Sequence, residues 1–279
     1  MPGPVAFVLG GGGILGASEV GMLRALLAAG VRPDLVVGAS VGALNGAFVA
    51  ADPSVEAVDR LTSVWATVAT SGVFTDSVFL QATRVATLGT HLHSNAGLRR
   101  LIDEHLPAAA IENLSVTFQC VAASVERASA HWFTEGSVAD AVLASCAVPG
   151  LLPAVAIGGS HYLDGGLVHS IPVGRAVHLG ARRIYVLHVG RIEHPLRAPK
   201  RPWEVGLVAF EIARRHRFVE ELAAVPADVE LHVLPSGVRD APSLTMDLRG
   251  ARRVTERIDS AFEATSEYLA RPHGRRSTP

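Results

Sequence analysis

The stretch Leu35 to Ala51 constrains this chain more than any other. It opens with an apolar run (Leu35, Val36, Val37), passes through Gly38-Ala39-Ser40-Val41-Gly42, and continues as an Ala-rich helical pattern. A strand that turns this sharply into a helix holds one residue in a strained backbone conformation and needs small neighbours so that the two elements can pass without clashing. Gly38 and Gly42 supply that space. Ser40 is then lifted above the sheet edge at a helix N-terminus, where the helix dipole favours developing negative charge. A Gly-x-Ser-x-Gly string also arises by chance in a chain with 27 glycines; the strand before it and the helix after it are what give it meaning.

A second glycine cluster precedes it. Val5 to Leu9 is an apolar run of strand length, followed by Gly10-Gly11-Gly12-Gly13-Ile14-Leu15-Gly16. Val20, Leu23, Leu26 and Leu27 then form a helical stripe that stops at Gly30. The order strand, glycine loop, helix, strand, elbow, helix is that of a right-handed parallel βαβ unit. Consecutive glycines let backbone N–H groups face a cavity without side chains in the way, a cradle for a phosphate or an oxyanion. Gly11-x-Gly13-x-x-Gly16 also fits a dinucleotide fingerprint, but that reading needs an acidic residue at the end of the second strand. Here the second strand ends in Gly38-Ala39-Ser40, and Asp34 lies before it. An oxyanion hole facing Ser40 uses the same backbone and needs no acid there. The two loops leave neighbouring strands at their C-terminal edges, so they are expected to meet at the switch point of the sheet.

Further along, Ser54 is placed to cap a helix bearing Val55, Val58, Leu61, Trp65 and Val68 on one face, whereas residues 71–93 read as mixed short helix and loop. Ser94 to Leu106 reads as a helix ended by Pro107, and Ser115 to Val125 as a buried strand. Val138 to Ala147 is helical. Ala154–Ile157 and His161–Leu163, joined through Gly158-Gly159-Ser160, form a hairpin. Pro172–Leu179 is a helix, Ile184–Val189 a strand, and Pro195–Pro202 a basic Pro-rich loop. Trp203–Leu222 is a long helix, Val229–Leu234 a strand, and Arg249–Leu269 a closing helix. Alternating strands and helices without an internal repeat or a long linker imply one layered α/β domain over residues 1–279. Its motif-bearing core spans about 5–190, with the segments of 203–270 packed on it.

With 49% hydrophobic and 18% charged residues the chain can bury a large core. A formal net charge of −1 gives no electrostatic case for nucleic acid. Cys120 and Cys146 lie in apolar surroundings without metal-ligand spacing and read as core residues in a reducing compartment. Val5–Leu9 is too short for a signal peptide and lacks a charged flank, and no apolar run reaches membrane-spanning length. A cytoplasmic protein is expected, with peripheral membrane contact left open. Neither a metal nor a cofactor is implied, and the oligomeric state is not encoded in any visible motif.

Two kinds of partner for Ser40 are available. His169, His178, His188, His216 and His232 all follow it, as a Ser–Asp–His order would require, though none sits in a loop that ties it to Ser40. Asp164 follows the strand His161-Tyr162-Leu163 and precedes Gly165-Gly166, which puts a carboxylate at a strand end beside a turn needing glycine freedom. Asp-Gly also reads as an ordinary hairpin turn.

Leu9 to Ala17, Gly38 to Gly42, Ala144-Ser145-Cys146-Ala147-Val148-Pro149-Gly150 and Asp164-Gly165-Gly166 together resemble the patatin-like phospholipases, a family of plant patatins, bacterial lipid acyl hydrolases and, more distantly, cytosolic phospholipase A2. The resemblance runs from Val5 to Val189. It implies a three-layer α/β/α fold on a central, mostly parallel sheet, and a lipid or acyl-ester substrate cleaved by a Ser–Asp dyad without histidine. Ser40 matches the nucleophile, Asp164 the general base, and Gly11, Gly12 and Gly13 the oxyanion hole; Gly16, Gly38, Gly42, Gly165 and Gly166 support the motifs. The chain departs from the family in one place: Leu15 stands where an Arg or Lys is usual, which removes one charge-assisted contact and favours a neutral ester over an anionic phospholipid. Two rivals remain. One is a non-catalytic lipid- or acyl-binding protein on the same scaffold, suggested by Leu15; the other is a nucleotide-dependent enzyme using the glycine loop.

Overall fold

The computed structural model describes residues 3–71, 90–106, 109–189, 195–196, 198–200, 202–237, 251–271 and 276–277. Strand β1 (Val5–Leu9) runs through the glycine loop and a 3-10 turn (Gly13–Gly16) into α1 (Ala17–Ala28), and β2 (Leu35–Ala39) bends at Ser40 into α2 (Val41–Ala51). Then come α3 (Val55–Ser71), α4 (Ala96–His105), β3 (Thr117–Ser124), β4 (Ser129–Phe133) and α5 (Val138–Ser145). A hairpin of β5 (Val155–Ile157) and β6 (Ser160–Asp164) precedes α6 (Val173–His178) and β7 (Arg183–Leu187). The chain continues with α7 (Pro202–Ala223), β8 (Glu230–Val233), α8 (Ala251–Leu269) and β9 (Arg276–Ser277).

The strands form one sheet in the order β5-β6-β3-β2-β1-β7-β8-β9, with β4 also paired to β3. From β3 across to β9 the pairing is parallel; β4, β5 and β6 run antiparallel to their neighbours. Period-two alternation assigns the faces. Phe7, Leu9 and Val36 point into a core completed by Leu23 and Leu26 of α1, Leu44 and Phe48 of α2, Leu61 and Trp65 of α3, and Ile258 of α8. Ala6, Val8, Leu35 and Val37 point the other way, against Val173 and Ala176 of α6 and Phe218 of α7. Helices therefore cover both faces, giving the mixed α/β, three-layer arrangement with a mostly parallel centre.

Most expected elements appear with their ends moved by a few residues. Two strands were not anticipated, the two-residue β9 and β4. Its hairpin to β3 turns at Glu126-Arg127-Ala128, where Ala128 adopts φ 46° and no glycine, proline or asparagine marks the bend. The hairpin β5–β6 shows the opposite case, with Gly158 and Gly159 at φ 58° and 79° as a tight turn demands. Residues 72–89 of the stretch expected to be mixed helix and loop lie outside the described residues, as do Pro107, Arg197 and Arg201 of the Pro-rich loop and residues 272–275 near the end of the sequence.

Helix α8 lies directly on α1, and Gly21 makes that possible. A Cβ there would stand 2.1 Å from the Ile258 carbonyl oxygen and 2.8 Å from the Phe262 nitrogen. Both are backbone atoms that cannot swing aside. Gly21→Ala is therefore expected to lower stability by about 2 kcal/mol despite the better helix propensity of alanine, because the overpacking term exceeds the propensity gain. Urea denaturation would show this; an unchanged midpoint would mean the two helices separate easily.

Candidate active site

The bend after β2 is strained where the sequence requires it to be. Ser40 has φ 54° and ψ −127°, a left-handed conformation rare for a residue with a side chain. The strand and helix pass so closely that a Cβ on Gly38 would lie 2.5 Å from the Gly42 carbonyl oxygen, and one on Gly42 2.4 Å from that of Leu9. The Ser40 N–H donates to Ser145 Oγ at 2.8 Å, and Ser145 Oγ donates to the Val121 carbonyl at 2.7 Å. Ser145, fully buried at the end of α5, thus clamps the strained residue to β3.

Sheet topology brings the carboxylate to it. Residues 120–124 of β3 pair with β4 along one edge, so β2 and β6 share the other. β2 arrives parallel and ends with Ala39 opposite Val121; β6 arrives antiparallel and ends with Asp164 opposite Ala122. Two strands converge end to end on consecutive residues of a third, and the residues at their tips meet. The Ser40 hydroxyl donates to Asp164 Oδ2 at 2.6 Å, while Oδ1 accepts the Gly166 N–H at 2.7 Å. Burial pushes the Asp164 carboxyl up to about 6, against the opposing effects of the Ser40 and Gly166 hydrogen bonds and the Arg214 charge.

Asp164 leads into a short 3-10 turn (Gly165–Leu167), not a hairpin. The two glycines after it are required for space and not for a positive φ, which corrects the expectation. A Cβ on Gly165 would sit 2.2 Å from the Val121 carbonyl oxygen, and one on Gly166 2.8 Å from the Phe210 ring and 2.9 Å from Asp164 Oδ1.

The glycine loop runs beside Ser40: a Cβ on Gly11 would lie 3.2 Å from Ser40 Cβ. Gly10 N–H donates to Leu187 O at 3.1 Å and Gly11 N–H to Ser170 O at 2.8 Å. The Gly11 amide is therefore already bonded within the fold, whereas an oxyanion donor has to be open. Gly12 is extended (φ 176°), and Gly13 at φ 57° turns the chain into the helix. Leu15 is buried. Behind the loop, Asn45 of α2 donates to Gly16 O at 3.0 Å and to Glu19 Oε2 at 2.7 Å and accepts from Trp65 Nε1 at 2.9 Å. Burial keeps the Glu19 carboxyl well above its usual range. This network ties the loop to the helix that follows Ser40.

No imidazole stands between Ser40 and Asp164, since their oxygens touch. His169 Nδ1 pairs with Glu221 Oε1 at 2.6 Å, and His188 packs on Phe218. Among the described residues no three His, Cys, Asp or Glu side chains cluster so as to hold a metal ion. Sequence reasoning gave Ser145 no role beyond its motif and Arg214 none at this site. Both act on backbone atoms brought near by folding, so no local pattern marks them. Ser145→Ala would orphan the Ser40 N–H and the Val121 carbonyl. A loss of about 2–3 kcal/mol is expected in urea denaturation, with reduced ester turnover; a variant of wild-type stability would refute the clamp.

The sequence profile of the patatin-like phospholipases matches residues 7–177. The chain belongs to the patatin-like phospholipase family. Its curated relatives include the lysophospholipase nte1 of Emericella nidulans, 31% identical over 68% of this chain, the neuropathy target esterase sws of Drosophila melanogaster, 29% over 67%, and the patatin-like phospholipase domain-containing protein 7 of Rattus norvegicus, 30% over 67%. The match takes in 12% of the first, 13% of the second and 14% of the third, so this chain corresponds to a small part of each. The crystal structure of VipD from Legionella pneumophila aligns with 96% of this chain and 67% of its own at a TM-score of 0.47 and 14% identity, too remote to bear on the site.

Proposed function

We propose that this patatin-like chain is a carboxylic ester hydrolase acting on lipids through a Ser40–Asp164 dyad and an acyl-enzyme intermediate. The observation that carries the reading is the 2.6 Å contact between the Ser40 hydroxyl and Asp164 Oδ2, made at a strained elbow beside a loop of bare peptide groups. Asp164 takes the Ser40 proton as Oγ attacks the ester carbonyl, and the Gly12 and Gly13 amides receive the oxyanion. The proton passes to the departing alcohol, leaving acyl-Ser40. Water then gives its proton to Asp164, attacks the acyl carbon, and the fatty acid leaves with Ser40 restored. A carboxylate is a weak base. Burial strengthens it by raising its pKa toward the working pH.

The relatives named lysophospholipase favour single-chain lipid esters as the first substrates to examine. No helix among the described residues is long and apolar enough to cross a membrane. A panel of lysophospholipids, diacyl phospholipids and neutral glycerides, scored for released fatty acid, tests the substrate class. Labelling by a fluorophosphonate probe, mapped to Ser40, tests the chemistry; an unlabelled Ser40 in the folded protein would favour the acyl-binding rival.

Asp164 must be ionised to accept a proton. Because burial raises its pKa to about 6, kcat/KM is expected to be low below that value, to rise about tenfold per pH unit along the acid limb, and to level off above it. A limb near pH 4, the ordinary carboxylate range, would mean that Asp164 is not the controlling base.

A further inference from the structure

Arg214 lies on α7, beyond the residues that match the family profile. Its side chain is buried, at 7% exposure, and makes one bond to the glycine loop and two to a neighbour on its own helix. Nη1 donates to the Gly11 carbonyl at 3.3 Å, while Nε and Nη2 donate to the two Glu211 oxygens at 2.7 and 2.8 Å. Glu211 is equally buried and takes a further bond from Arg215 Nε at 2.8 Å. Burial pushes the Glu211 carboxyl up, but hydrogen bonds and charge from Arg214 and Arg215 more than offset this and hold it below its usual range. Arg214 thus sets a buried guanidinium against the glycine loop. Desolvating three ionised groups is costly, and α7 has an exposed face on which they could have stayed in water. Something other than packing favours them inside.

We propose that Arg214 is a positioning residue for the oxyanion cradle: it holds the Gly11–Gly12 peptide from behind and supplies the positive field that a glycine loop bearing Leu15 does not. A trans peptide is planar, with its C=O and N–H pointing in opposite directions. Gly11 is fixed at both ends, its N–H by Ser170 and its C=O by Arg214. The Gly12 N–H is then aimed to the side away from the guanidinium. A cation on the carbonyl end also polarises the peptide, making the N–H at its other end a stronger donor.

The same charge bears on the base. Asp164 is faced by Ser40 from the β2–α2 bend, by Cys146 from the end of α5 and by Arg214 from α7. Burial first, then the Asp164 charge, pushes the Cys146 thiol well up, so Arg214 is the charged one among them. It opposes the effect of burial on Asp164. One side chain thus acts on the cradle and on the carboxylate.

This inference rests on the hydrolase reading, and the test separates the two. The purified wild-type chain, Arg214→Lys and the double variant Glu211→Gln/Arg214→Gln are compared on p-nitrophenyl butyrate as a function of pH, with fluorophosphonate labelling and circular dichroism alongside. The double variant removes Arg214 together with the carboxylate it pairs with, and the glutamine amide oxygen at position 211 still offers Arg215 an acceptor. It is expected to fold, to lose about tenfold or more in kcat with little change in KM, and to show its acid limb at higher pH. Arg214→Lys is expected to return the limb to its wild-type position but to recover part of kcat, because one ammonium cannot reproduce the fork. A double variant with wild-type kcat and limb overturns the inference. So does a loss of kcat with the limb unmoved and no recovery by lysine, the result of packing alone. Should the double variant not fold, Arg214→Lys decides: lowered kcat on an unmoved limb supports the role, and wild-type kcat overturns it. A wild type that neither hydrolyses ester nor labels at Ser40 overturns the hydrolase reading, and this inference with it.

Discussion

Ser40→Ala is expected to abolish ester hydrolysis, by on the order of 10⁵-fold or more, since loss of the nucleophile removes the covalent route altogether. The variant should keep its fold, because the elbow is built by Gly38, Gly42 and the Ser145 clamp and not by the hydroxyl. Ser40→Gly sharpens the test. Both variants lack the hydroxyl, but glycine also relieves the strain of φ 54°. The glycine variant is therefore expected to be as inactive as the alanine variant and about 1 kcal/mol more stable than it, the strain relief exceeding the greater entropy that glycine has when unfolded. Chemical denaturation and p-nitrophenyl ester turnover read the two effects separately. Residual turnover in the alanine variant near that of wild type would remove Ser40 from the mechanism.

Asp164→Asn should lose about 10³-fold or more in kcat/KM, because an amide keeps the shape but cannot take the serine proton. Its stability should move the opposite way. The carboxyl has a pKa of about 6 in the fold and roughly 3.9 when unfolded. A group raised in the folded state contributes its full stability below the unfolded value and loses it as pH rises through the folded one. At pH 8 the ionised carboxylate thus costs on the order of 2–3 kcal/mol, which asparagine avoids; at pH 4 most of that difference is absent. Urea midpoints of the two proteins should accordingly diverge as the pH is raised. An asparagine variant destabilised equally at both pH values would show that Asp164 is not strained by burial. A variant that stays active, while one histidine-to-alanine change kills turnover, would restore a triad.

The two effects belong to one trade. Ser40 holds an unfavourable backbone and Asp164 an unfavourable charge, and the surrounding structure keeps both in place. Sequence patterns pointed to these residues because strain and burial leave marks: small neighbours around the elbow, apolar strands leading into it, and glycines after the aspartate. The same patterns overstated Gly11, whose amide turns out to be bonded to Ser170, and they ascribed to backbone freedom a Gly165-Gly166 pair that is needed for space. β4 was invisible because its turn places an alanine in the left-handed region.

What this sequence determined by itself is local: which runs become strands and helices, where the chain must bend, and which hydroxyl is raised at the bend, all consequences of sterics and hydrophobic period within a few residues. What the tertiary structure decided is which distant groups touch. Ser40 and Asp164 meet because two strands of opposite direction end on adjacent residues of β3. Ser145 and Arg214 reach the bend and the glycine loop from other helices. Such contacts depend on how layers pack over long stretches of chain, and packing leaves no periodic signature in the order of the residues it joins.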